Sequence, residues 1–356
     1  MIAANQFQED APYIQGASMT DDHLSNETSL SAQLTETGVT ASAKSRTVAA
    51  IDRLMGNLAD LPNAFIESVI VRKRAKTEGE RHLIEAAAQY GVLRMGQDHE
   101  FAERAYENHF RKIASQQLNK DAVVAEALDN LRLEPPDPHQ SSSGPEVLGD
   151  EFMDRFERYA ESATTDDLRH RWGRILAGEI RRPGTFGPKV LRATDELDSE
   201  AAALFEKVCK FQFRANAISK DLAGELSFDV KMKLVEAGLV VDPGLTGHLS
   251  LFNAGRLNGA EPAWFFTVGS WAIGFKQSCA FEVGDGLILK NREGTPAMDA
   301  YILTDVGTAL SSILPADDEM IIKQLGPKIQ ASIKDGILLY FRTASEGRMI
   351  GAEPPV

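Results

Sequence analysis

The sequence predicts a mainly α-helical protein with a C-terminal α+β part, and three observations predict it. Apolar residues fall three or four apart through most of residues 47–213, the spacing of a single buried helix face. Residues 134–149, EPPDPHQSSSGPEVLG, interrupt that spacing with four prolines and three consecutive serines, which neither helix nor strand can use. Beyond residue 216 the chain turns Gly-rich and carries short apolar runs bounded by turn residues, as strands do.

Taken in order, residues 1–43 are rich in Ser, Thr, Gln and Asp with no steady apolar period, and predict a disordered tail. A helical region over 44–133 follows. Val48, Ile51, Leu54, Met55, Leu58 and Leu61 describe one helix face until Pro62. Further helices are predicted at 64–76, 78–92, 99–117 and 120–131, all amphipathic and charged. The linker at 134–149 leads to a helical block over 150–216. Phe152, Phe156, Tyr159 and Ala160 mark its first helix, at 150–163. Thr165 or Asp166 caps the second, 167–180, which Pro183 and Gly184 stop. Pro188 suits the start of a helix through Glu196, and Asp198 is the N-cap of one running to Phe213.

The mixed region, 217–342, has predicted strands at 238–241, 248–252, 264–268, 281–289, 300–303 and 337–342. Trp264 to Phe275 reads as buried strand. Helices are predicted at 229–237, 305–314 and 318–334, and residues 343–356 form a second tail.

At 356 residues the chain exceeds one ordinary core, and its 43% hydrophobic and 25% charged residues are those of a globular protein. The formal net charge is -14, and no segment is net basic, which disfavours nucleic acid as a partner. Cys209 and Cys279 have no CxxC spacing and read as core thiols of a reducing compartment. Residues 1–25 show neither the basic nor the apolar region of a secretory signal, and no apolar run is long enough to span a membrane. The expectation is a cytoplasmic protein with no membrane partner.

Phosphate-binding glycine loops, HExxH, GxSxG and paired CxxC motifs are all missing, so no catalytic residue, cofactor or metal is expected. His82 and Glu85 share a helix face but lack the further ligands a metal needs. Glu151, Asp154, Glu157 and Glu161 alternate with Arg155 and Arg158 in the pattern of a solvated helix face. Arg72, Lys73 and Arg74 close a predicted helix, where cations complement its dipole, and are also a candidate nucleic-acid contact. An enzyme reading would rest on Glu282 and Asp285 near Lys290, and carries the least weight.

The densest stretch is WGRILAGEIRRPGTF, residues 172–186. Trp172, Ile175, Leu176 and Ile180 form its buried side, and Gly173, Ala177 and Gly178 admit close approach of another backbone. Trp172, Arg174, Gly178, Arg181 and Arg182 are the candidate interaction surface, for a protein partner or a second copy of the chain. An anion site at the turn Pro183-Gly184-Thr185 is the alternative use of these arginines.

A helix running into Glu236-Ala237-Gly238-Leu239-Val240, and a strand turning through Leu303-Thr304-Asp305-Val306-Gly307 into a helix, look like the two edges of a winged-helix-like unit with a long strand-rich insertion. Its reading helix would offer Lys231 and Lys233 to nucleic acid, against Asp229 and Glu236.

The runs DEFMDRFERYAESATTDDLRHRWGRILAGEIRRPGTF, LDSEAAALFEKVCKF, EAGLV and YILTDVGTAL together resemble the uncharacterised prokaryotic family termed domain of unknown function DUF2806, over most of 44–342. The run at 150–213 carries the most specific part of the likeness. The resemblance implies a bacterial cytoplasmic protein and assigns no activity. RWGRILAGEI is similar to regions of abortive-infection proteins, which would link the chain to phage defence or mobile elements. The expected function is that of a non-catalytic interaction protein, with a DNA-associated regulator as the alternative.

Overall fold

In the computed structural model, residues 41–55, 99–136, 145–244, 247–281, 288–290, 293–343 and 349–355 are described. The predicted helices at 64–76 and 78–92 lie outside these residues. The chain forms two compact units: one from residues 1–148 with 160–173, the other from 149–159 with 174–356.

In the first unit, α1 (Ala41–Met55) begins two residues before the predicted end of the tail. It buries Ala43, Ala50, Ile51 and Leu54. Its Arg46 is fully buried and donates from Nη1 to the Pro145 carbonyl at 2.9 Å. α2 (His99–Leu133) is one helix of 35 residues where two were expected. Leu118 and Asn119 contain no helix breaker, and Asn119 escapes competition with its own backbone because its side chain is fully used elsewhere. Its Nδ2 donates to the Glu161 carbonyl at 2.8 Å, and its Oδ1 accepts from Arg169 Nη2 at 2.8 Å.

α3 (Asp150–Glu161) and α4 (Asp166–Arg181) match the predicted helices to within two residues. Thr165 Oγ1 accepts from Leu168 N at 3.3 Å, as a capping residue should. Gly173 of α4 lies against α2: a Cβ there would stand 2.4 Å from Glu126 Cβ and 3.0 Å from Ala127 N. Close approach is thus the use of this glycine.

The second unit continues with α5 (Pro188–Glu196), which has proline at its start, and α6 (Ser199–Cys209), capped by Asp198. The predicted extension of α6 to Phe213 is overturned. Residues 212–214 form β1 (Gln212–Arg214), which pairs with β2 (Ala217–Ser219) and delivers Phe213 to the core. α7 (Lys220–Ala223) and α8 (Phe228–Glu236) follow.

β3 (His248–Leu251) and β4 (Asn253–Leu257) come next, β4 having been missed because only Leu257 of its residues is buried. The apolar run from Trp264 to Phe275, in which a strand was expected at 264–268, is a hairpin of β5 (Glu261–Val268) and β6 (Trp271–Lys276), so that the second strand was missed. Gly269, at φ +51°, makes the turn. The chain ends with β7 (Leu289–Lys290), β8 (Pro296–Ile302), α9 (Asp305–Ser311), α10 (Asp318–Ser332), β9 (Leu339–Thr343) and β10 (Met349–Ala352). β10 falls where a tail was expected, because four residues with mostly exposed side chains leave no apolar alternation to read.

The strands form two antiparallel sheets, ordered β1-β2-β8-β3, with β7 also on β8, and β10-β9-β6-β5-β4. One apolar core joins them. Phe213, Ala217, Met298 and Ala300 of the first sheet meet Phe266, Ile273 and Phe275 of the second and Ile321, Ile322, Leu325 and Ile329 of α10. Phe252 stands between, its ring 5.0 Å from Phe266 and 5.5 Å from Phe275.

The sequence LTDVG has a clear local purpose. Thr304 caps α9, accepting from Gly307 N at 3.0 Å, while its own N–H donates to the Leu239 carbonyl at 3.0 Å. Gly307 lets that carbonyl in, since a Cβ would stand 2.0 Å from it. Gly307→Ala is therefore expected to cost about 1–3 kcal/mol by overpacking. Gly351→Ala, with nothing within 4 Å, should stay within about 0.5 kcal/mol of the parent. Thermal melts of the two variants, compared with the parent, check this.

Candidate interaction surface

Two surfaces were candidates from the sequence, and the structure treats them differently. On α4, Trp172 is 1% exposed, as buried as Ile175, Leu176 and Ile180. Gly178 faces Phe186 and Ile313, whose side chains would lie 2.7 and 2.8 Å from a Cβ. Trp172 therefore lies in the interior, and the space beside Gly178 is taken by the chain's own Phe186 and Ile313, because the apolar side of the helix is the side its own fold covers. Arg174 and Arg181 are half-buried and Arg182 is exposed.

The turn after α4 is already supplied with an anion. Glu179, 4% exposed, accepts from Gly184 N at 2.5 Å and from Phe186 N at 2.9 Å. A carboxylate of the chain thus occupies the donors that an external anion would need. Sequence spacing signalled the turn but not its occupant.

On α8, each end is set by local chemistry. Ser227 caps it by accepting from Val230 N at 3.4 Å, and Gly238, at φ +69°, lets the chain leave it. The connection from α7 is fixed to the sheet through Tyr301, whose hydroxyl accepts from Leu226 N at 3.0 Å and donates to the Gly224 carbonyl at 3.1 Å. At the far end, Val240 bridges Leu303 and Val241 N donates to the Ile302 carbonyl at 2.8 Å. The segments EAGLV and YILTD are therefore neighbours, as their pattern suggested.

Only Leu234 of α8 is buried. Its two lysines are both engaged by carboxylates. Lys231 pairs with Glu225, which also takes Lys220 at 2.9 Å, and Lys233 pairs with Glu200 on α6. The Glu225 carboxyl is held below its ordinary range by its bonds to Lys231 and then Lys220, and Lys233 is raised by Glu200. What α8 shows to solvent instead is Phe228, 73% exposed, and Met232, 39% exposed, one turn apart. Sequence reasoning fixed on the lysines and missed these two, although their i,i+4 spacing was the available signal.

Arg214 of β1 carries the only buried side-chain donors without a partner among the described residues, Nε and Nη2. Its guanidinium lies 4.3 Å from the centre of the Phe266 ring, and burial lowers its pKa from the usual arginine value. Both cysteines are buried, and burial with the nearby Glu206 pushes the Cys209 thiol up, away from nucleophile chemistry. Among the described residues no three His, Cys, Asp or Glu side chains gather as a metal site, and no helix is long and apolar enough to cross a membrane. The basic cluster Arg72, Lys73 and Arg74 lies outside the described residues, as do His82, Glu85, Glu282 and Asp285.

The family model described as Protein of unknown function (DUF2806) matches residues 103–242. The match takes in α3 to α8, including the run from Asp150 and the EAGLV segment, and leaves YILTDVGTAL outside, so it is narrower than the likeness over 44–342 that the sequence suggested. No curated protein and no solved structure matches the chain.

Proposed function

We propose that this chain is a non-catalytic interaction protein of the bacterial cytoplasm, with a winged-helix-like unit whose reading helix meets protein rather than DNA. The topology supports the unit: α6, β2, α7 and α8 are followed by β3 and β8, the three strands lie in the order β2-β8-β3, and β4 to β7 are the long insertion. The observation that carries the proposal is on α8. A helix that reads DNA presents free cations and hydrogen-bonding side chains to the groove. Here Lys231 and Lys233 are each paired with a carboxylate, and the solvent side is led by Phe228 and Met232. Exposed large apolar side chains of this kind favour a protein contact.

A tagged full-length chain recovered from its native host, with and without nuclease treatment, tests the reading. A protein partner, or a second differently tagged copy of the chain, retained after nuclease is the expected result. Recovery of nucleic acid, with every partner lost on nuclease treatment, would overturn it. In parallel, duplex DNA at low salt should fail to shift in a gel. A salt-sensitive shift abolished by Lys231→Glu and Lys233→Glu would instead establish the DNA-associated regulator.

A further inference from the structure

We infer that the segment docking on α8 is a basic one with an apolar anchor, such as an amphipathic helix bearing Lys or Arg beside its apolar face. This rests on the interaction reading above and names the chemistry of the partner. The outward stripe of α8 is Phe228 and Met232, with Asp229 and Glu236 exposed beside them. Lys231 and Lys233 flank this stripe, but their ammonium groups are held by Glu225 and Glu200. The surface a partner meets is therefore apolar at its centre and acidic at its margin.

The neighbouring chain has the same sign. From Asp195 to Glu236 nine acidic residues stand against six basic ones, a net charge of -3. Asp195, Glu196 and Asp198, at the junction of α5 and α6, are all exposed, and α6 packs against α8. An acidic rim repels phosphate, whether in nucleic acid or in an anionic lipid surface, and attracts Lys and Arg. The exposed phenyl ring supplies what charge alone cannot, a large apolar side chain for the apolar face of the segment to cover. Together these select a cationic amphipathic segment over both a DNA duplex and an acidic peptide.

The experiment uses the full-length chain and two fluorescent helical peptides, each with leucines on one face and either lysines or glutamates on the other, read by anisotropy. The lysine peptide should bind at least about tenfold more tightly than the glutamate peptide. Phe228→Ser should weaken it by about tenfold or more. Asp229→Lys combined with Glu236→Lys should transfer the preference to the glutamate peptide. Both changes lie on the exposed face, and circular dichroism melts that overlay the parent's confirm that the fold is retained.

Equal binding of the two peptides, binding of neither, or lysine-peptide binding indifferent to Phe228→Ser would each overturn the inference. If it fails while a nuclease-resistant protein partner is still captured from the host, docking occurs elsewhere: a non-catalytic interaction protein remains, and the assignment of its contact to α8 is lost. If that partner is lost as well, the interaction reading fails with it.

Discussion

Trp172→Ala is expected to lower the stability of the chain by about 3–5 kcal/mol, the cost of deleting a large side chain from a packed interior. The indole is 1% exposed, and Ile175, Leu176 and Ile180 on the same helix are no more exposed. Truncation therefore leaves a cavity whose walls are held by helical backbone and cannot close fully. Urea denaturation followed by far-UV circular dichroism reads the loss as a lower midpoint, with Arg182→Ala, on an exposed residue of the same stretch, remaining within about 0.5 kcal/mol. The alternative is equally concrete. Were Trp172 an anchor for a partner, its alanine variant would keep the parent's midpoint and lose only binding.

That contrast marks where the sequence could be read and where it could not. Helix ends were legible because their chemistry is local: Thr165, Pro188 and Asp198 each stand at or next to the first turn they define. The apolar face of α4 was legible too, as a face. Whether it met the chain's own core or a partner was not, since burial by Phe186 and Ile313 depends on residues that the helix period cannot place. The union of two expected helices into α2 was hidden for the same reason: Asn119 is tolerated only because Glu161 and Arg169, more than 40 positions away, use its side chain.

Strands fared worse than helices. Trp264 to Phe275 is mostly apolar on both sides of Gly269 and Ser270, the only turn signal within it, and β4 and β10 carry too little buried surface to stand out. The candidate surface on α8 was half legible. Lys231 and Lys233 were visible, but Glu200, which takes Lys233, is 33 residues away on α6, and no local rule pairs them. Removing the lysines from consideration is what leaves Phe228 and Met232 as the prominent feature.

Glu179→Ala should be costly for a different reason, the loss of an acceptor rather than of volume. Gly184 N and Phe186 N both point at the Glu179 carboxylate, and Phe186 is 1% exposed, so its donor has little access to water once the carboxylate is gone. An unsatisfied buried donor costs about 1–3 kcal/mol, and the variant is expected to lose about 2–4 kcal/mol in all. Glu179→Gln keeps one acceptor oxygen and should lose less. Because the turn then presents two inward N–H groups to an empty place, acetate should restore part of the melting temperature of Glu179→Ala and leave the parent unchanged. A variant that melts with the parent would show that other bonds hold the turn. One that melts early yet ignores acetate would show that the pocket collapses when the side chain is removed. Restoration by acetate would identify the turn at Gly184 as an anion-binding structure that the protein fills with its own carboxylate, which is why its arginine-rich surroundings read from sequence as a site for a ligand.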